Sequence, residues 1–203
     1  MEFCGLTLRV DPGVYVPRPH SELIARRAAE LLPAGGVAVD LCCGCGAVAR
    51  ALRGARVVGV DLDPRAVACA RANGVEAHRG DLFGGVPGEL AGRVDVVVAV
   101  TPYVPDDELD LLQRDTFVFE DELAYAGGEG GLDVLRRVVG EAPRWLRPGG
   151  AIVLELGGAA QAGAVGAALE RAGFAGVVVL RDEDGDERGI AGERKPGRAA
   201  ARG

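Results

Sequence analysis

Short runs of apolar residues alternate along the chain with segments whose apolar positions recur every three or four residues. Val37-Ala38-Val39, Arg56–Val60, Val75–His78, Val94–Val100, Ala151–Leu156 and Ala175–Leu180 read as strands, and VDVVVAV at 94–100 is the most apolar. Between them, Ser21–Leu32 places Leu23, Ile24, Ala28, Leu31 and Leu32 on one stripe. Leu132–Leu146 does the same with Leu135, Val138, Val139 and Trp145. Ala47–Leu52, a segment opened by Asp63-Pro64 and running to about Asn73, and Gln161–Ala172 are also predicted helices, with Gly74 and Gly173 as stops. Asp182–Asp186 is a polar turn that returns Glu187–Ala191 as an antiparallel last strand. Strand–helix alternation of this kind predicts an α/β fold, with a seven-stranded, mostly parallel sheet.

The flanks are read separately. Residues 5–16 are expected to form two short strands around the turn Asp11-Pro12-Gly13. Val16-Pro17-Arg18-Pro19 is stiff and extended, and His20 or Ser21 is placed to cap the first helix. Residues 106–125 are acidic and mixed, expected as loop with a short helix, and Gly127–Gly131 is expected to be flexible. The predicted division is an N-terminal hairpin and helix over 1–33, the α/β domain over 34–193, and a disordered polar tail over 194–203.

The stretch VAVDLCCGCG at 37–46 carries the first chemistry. A strand, a glycine turn and a helix form the Rossmann-like opening, in which glycines allow a tight turn and a close backbone approach to a ligand. GCGAVA at 44–49 fits the dinucleotide fingerprint, so a nicotinamide enzyme is one reading. Asp40, four residues before Gly44, separates the readings: its carboxylate repels a pyrophosphate but attracts the ammonium and sulfonium of S-adenosylmethionine (SAM). Asp61 ends the second strand, where a carboxylate accepts from two ribose hydroxyls. Asp81 in Gly80-Asp81-Leu82-Phe83 is either an acceptor for the adenine amino group, with Leu82 against the ring, or a plain turn residue. Thr101-Pro102-Tyr103-Val104-Pro105 forms a rigid loop at the carboxyl end of the central strand, where ligands sit in doubly wound sheets.

The totals narrow the classes. The 203 residues suffice for one α/β domain, and no apolar run approaches the roughly 18 to 20 residues that span a bilayer. A net charge of −7 argues against general nucleic-acid binding, which needs a basic face. The five cysteines Cys4, Cys42, Cys43, Cys45 and Cys69 are odd in number, with three of them clustered in a turn, which is not a disulfide framework and points to a reducing cytoplasm. Cys42, Cys43 and Cys45 lack zinc spacing, so no metal is expected. The lone His78 reads as a strand residue, and the acidic 182–186 turn does not match a calcium loop.

The order and spacing of V-P-R-P-H-S-E at 16–22, D-L-C-C-G-C-G at 40–46, V-D-L-D-P at 60–64, G-D-L-F at 80–83, P-Y-V-P at 102–105 and G-G-E-G-G-L-D at 127–133 resemble the protein-(glutamine-N5) methyltransferases of the HemK/PrmC type. The likeness covers roughly residues 5–193 and implies a class I SAM-dependent methyltransferase fold. It implies a SAM site built from Arg18, Asp40, Cys42, Cys43, Gly44, Cys45, Gly46, Asp61, Leu62, Asp81 and Leu82, and an acceptor site at Val100, Thr101, Pro102 and Tyr103. Three departures stand out. Where the family reads N-P-P-Y this chain reads Val100-Thr101-Pro102-Tyr103, and valine cannot accept the substrate amide N–H as asparagine does. The first loop glycine is Cys42, and the chain starts almost at the catalytic domain, without the family's helical N-terminal domain. The expectation is therefore a methyltransferase with a changed acceptor, a small molecule or another protein side chain. Its rivals are a SAM-binding non-catalytic protein and a genuine release-factor glutamine methyltransferase. The oligomeric state is open.

Overall fold

The computed structural model describes residues 1–111 and 126–196; the expected loop over 112–125 and the tail from 197 lie outside them. β1 (Glu2–Phe3) and β2 (Leu6–Thr7) form a hairpin, followed by α1 (Ser21–Leu31). Then come β3 (Val37–Leu41), α2 (Ala47–Ala51), β4 (Arg56–Asp61), α3 (Pro64–Ala72), β5 (Glu76–Arg79) and β6 (Val94–Ala99). α4 (Asp133–Trp145), β7 (Leu146–Glu155), α5 (Ala159–Arg171), β8 (Phe174–Arg181) and β9 (Glu187–Arg194) complete the chain. Seven strands share one sheet in the order β5-β4-β3-β6-β7-β9-β8, with β9 antiparallel to both its neighbours and the pairs from β5 to β7 parallel. This is the class I methyltransferase fold.

Strand alternation divides the core between the two faces. Val97 and Ala99 of β6 join Val39, Leu41, Ile152 and Leu154 under α4 and α5. Val96 and Val98 point the other way and join Ile24 and Ala28 of α1 and Val48 of α2. Residues buried on both sides explain why β6 is a continuous apolar run rather than an alternating one. The strand order reverses between β3 and β6, so the crevice at their carboxyl ends is the topological switch point.

Three sequence expectations are corrected. The hairpin lies at residues 2–7, not 5–16, because Cys4 (φ +48°) and Gly5 (φ +69°) form the two-residue loop that matches strand twist. Asp11-Pro12-Gly13 still turns the chain, with the Val14 N–H donating to the Asp11 carbonyl at 3.1 Å, but among the described residues the strands β1 and β2 both lie before it. Second, the Gly127–Gly131 segment is pinned rather than free. Gly127 N–H donates to Val104 O at 2.8 Å, and a Cβ on Gly131 (φ +67°) would lie 2.0 Å from Tyr103 O. Gly131→Ala is therefore expected to lower stability by at least ~2 kcal/mol through combined clash and left-handed strain. Thermal unfolding would register this as a lower midpoint, and an unchanged midpoint would contradict the packing described. Neither His20 nor Ser21 caps α1 through its side chain.

Candidate functional site

The glycine turn after β3 is held from both sides. Cys43 N–H donates to Val60 O at 3.0 Å and Gly46 N–H to Cys43 O at 2.7 Å. Cys42 sits at φ +56°, a left-handed conformation that costs a non-glycine residue about 1 kcal/mol and that glycine adopts freely. Asp61, at the end of β4, closes the turn: Oδ2 accepts from Gly44 N–H at 2.8 Å and Oδ1 from Asp63 N–H at 2.9 Å. Each carboxylate oxygen retains capacity for a further donor. Asp40 is buried beneath the turn, its Oδ2 accepting from Ala49 N–H at 3.0 Å.

These groups face a cavity of about 260 Å³ at the carboxyl ends of β3, β4 and β6. Asp40, Cys42, Cys43, Gly44, Cys45, Asp61, Leu62, Asp81 and Leu82 all line it, as do Val100, Thr101, Pro102 and Tyr103. Arg18 and Gly46 do not. The Arg18 guanidinium lies 5.1 Å from the Tyr15 ring centroid. Gly46 serves close packing, since a Cβ there would meet a Val75 methyl at 2.7 Å.

The electrostatics are acidic. Burial pushes the Asp40 carboxyl up to about 7, helped by the nearby Asp61 charge and opposed by the Ala49 N–H. Asp61 is raised as well, chiefly by burial. Burial and the same carboxylates push the Cys42 thiol up, and burial pushes Cys45 up to about 12, so these cysteines are neutral at ordinary pH and poor nucleophiles. Leu62, 47% exposed, and Leu82 supply apolar wall. Carboxylates converging on an apolar slot suit a cationic nucleoside without phosphates, and disfavour a dinucleotide.

Three polar groups near the site escaped the sequence reading. Gln161 is buried in the first turn of α5. Its Nε2 donates to Tyr103 O (2.9 Å) and Gly130 O (3.1 Å), and its Oε1 accepts from Gly157 N–H (2.8 Å). It ties the Pro102–Tyr103 loop to the glycine segment and to the end of β7. Glu155, the last residue of β7, is fully buried, and His20 Nε2 is 3.4 Å from its Oε1. A polar residue interrupting an apolar stretch was the available signal for both. Arg137, on α4, also lines the cavity, and nothing in the sequence distinguishes it from its neighbour Arg136.

Residues 38–116 match the family profile described as a methyltransferase domain. The release factor glutamine methyltransferase of Geobacter sulfurreducens is 38% identical over 199 residues, covering 94% of this chain and 69% of that protein. The chain belongs to the release factor glutamine methyltransferase family. The Mycolicibacterium smegmatis member is 37% identical over 204 residues, covering 95% of this chain and 71% of its own. Among solved structures, a chain of the E. cuniculi Mtq2–Trm112 complex, described as responsible for methylation of the eRF1 translation termination factor, superposes with a TM-score of 0.67. It is 28% identical, and the match covers 90% of this chain and 99% of that one. The protein is a SAM-dependent methyltransferase, and the nicotinamide and non-catalytic readings are set aside. Among the described residues no helix is long and apolar enough to cross a membrane.

Proposed function

We propose that the cavity binds SAM and that the methyl group goes to an acceptor more nucleophilic than a carboxamide nitrogen, carried on a protein side chain or a small molecule. In this reading Asp61 accepts the ribose hydroxyls, Leu62 and Leu82 flank the adenine, and Asp40 faces the cationic end. SAM supplies an electrophilic methyl. Val100, Pro102 and Tyr103 shape the opposite side, where in-line attack needs positioning and exclusion of water rather than a strong base.

The observation that carries the changed acceptor is Val100. It lines the cavity beside Pro102 and Tyr103 with an isopropyl group, where the family resemblance expects asparagine. In this reading Thr101 does not take its place: its hydroxyl comes one residue later in the loop and the residue is 2% exposed. An amine, carboxylate, thiolate or phenolate depends less on an acceptor at this point than an amide does. Glutamine methylation of a release factor is the second reading, favoured by the names of the 37–38% identical relatives. Methyl-labelled SAM incubated with a release factor, and separately with protein and small-molecule fractions of a cell extract, tests the two.

The cofactor part of the reading has its own pH signature. A cationic ligand binds ionised Asp40 best, and in the free protein that carboxyl titrates near 7. As pH falls through 7 Asp40 takes up a proton, so SAM affinity is expected to fall by up to about tenfold per pH unit. Asp40→Asn should remove that dependence. Titration calorimetry from pH 8 to 6 checks it, and equal slopes in the wild type and the variant would contradict the role given to Asp40.

A further inference from the structure

The ion pair between Arg137 Nη2 and Asp81 Oδ2, at 2.8 Å, lies at the cavity mouth, and both residues line the cavity. The two side chains are 51% and 56% exposed, and an ion pair that open to water contributes little to stability. The pair sits where the proposed adenine slot opens, beside Leu82, which is itself held at φ +48°. Asp81 comes from the turn after β5 and Arg137 from α4, elements on either side of the slot.

We propose that Arg137 is a specificity-determining residue for the nucleoside: by holding Asp81 Oδ2 it fixes the carboxylate so that Oδ1 accepts from a 6-amino purine and rejects a 6-oxo purine. This rests on the reading that adenine lies between Leu62 and Leu82. A carboxylate more than half exposed samples several rotamers when unheld, and each rotamer lost on binding weakens the contact. The guanidinium removes that freedom beforehand, and a carboxylate is an acceptor with no proton to offer the 6-oxo group. Plain Coulomb attraction gives the opposite sign. Removing a positive charge would tighten binding of the SAM cation and leave a ligand with a neutral sulfur nearly unaffected, so a weakened variant identifies positioning rather than charge.

The test is calorimetric titration with S-adenosylhomocysteine and S-inosylhomocysteine, which differ in the 6-amino or 6-oxo group and the accompanying N1 proton, and which carry a neutral sulfur. The wild type is expected to prefer the adenine ligand by at least about tenfold, ~1.4 kcal/mol. Arg137→Ala should weaken S-adenosylhomocysteine by about tenfold, leave S-inosylhomocysteine within about twofold, and so erase the preference. Arg137→Lys, which keeps a donor in reach, should retain part of it. Arg137→Ala that keeps the wild-type preference overturns the inference and leaves the adenine reading standing. A wild type that does not distinguish the two ligands overturns both.

Discussion

Asp61→Ala is expected to lose SAM affinity by well over tenfold while remaining folded. Hydrogen bonds to a charged group contribute ~1.5 to 3 kcal/mol each, so losing two ribose contacts alone exceeds one decade in Kd. The structure adds a second reason that the sequence did not offer. Asp61 Oδ2 also holds Gly44 N–H at 2.8 Å, so the alanine variant frees the turn that forms the cavity floor. Asp61→Asn should fall between the two, because its amide oxygen can replace only one of the carboxylate's oxygens. Calorimetry with SAM, with circular dichroism to confirm folding, measures this. Unchanged affinity in a folded Asp61→Ala protein would remove Asp61 from the site.

The larger expected effect concerns Val100. An amide nitrogen is a weak nucleophile because its lone pair is delocalised into the carbonyl. An acceptor placed on its N–H orients the lone pair toward the methyl and stabilises the positive charge that develops. Removing one such preorganised contact typically costs ~10² to 10³ in rate. At position 100 the contact is replaced by an isopropyl group, and the adjacent Thr101 hydroxyl is buried without a partner. Val100→Asn is therefore expected to raise glutamine labelling of a release factor by at least tenfold if the remaining pocket accepts that substrate, with SAM affinity unchanged.

Much of this architecture was legible because it is written in period. The apolar runs at 37–39, 56–60 and 94–100 and the helix opened by Asp63-Pro64 and running to about Asn73 depend on burial and on local capping, both visible in one sequence. Asp63 does accept from Arg65 N–H, as a cap should. The hairpin was misplaced because Asp-Pro-Gly is the stronger turn signal, whereas Cys4–Gly5 works only through positive φ at a cysteine. The glycine segment was misread for a related reason. Glycine composition looks the same whether it confers freedom or permits a close approach, and only the proximity of Tyr103 O to Gly131 tells them apart. Gln161 and Arg137 act across 58 and 56 residues of sequence, on Tyr103 and Asp81, and no local pattern encodes such partners. The carboxylates at strand ends were readable because strand termini and helix caps bracket them.

The proposed change of acceptor is tested most directly by one side-by-side rate measurement. The protein and its Geobacter sulfurreducens relative are each given methyl-labelled SAM and a release factor carrying the Gly-Gly-Gln segment, and labelled glutamine is quantified by mass spectrometry. The account predicts an initial rate at least ~10² lower for this protein than for the relative, while both bind SAM. Comparable rates would contradict it and make release-factor glutamine the acceptor.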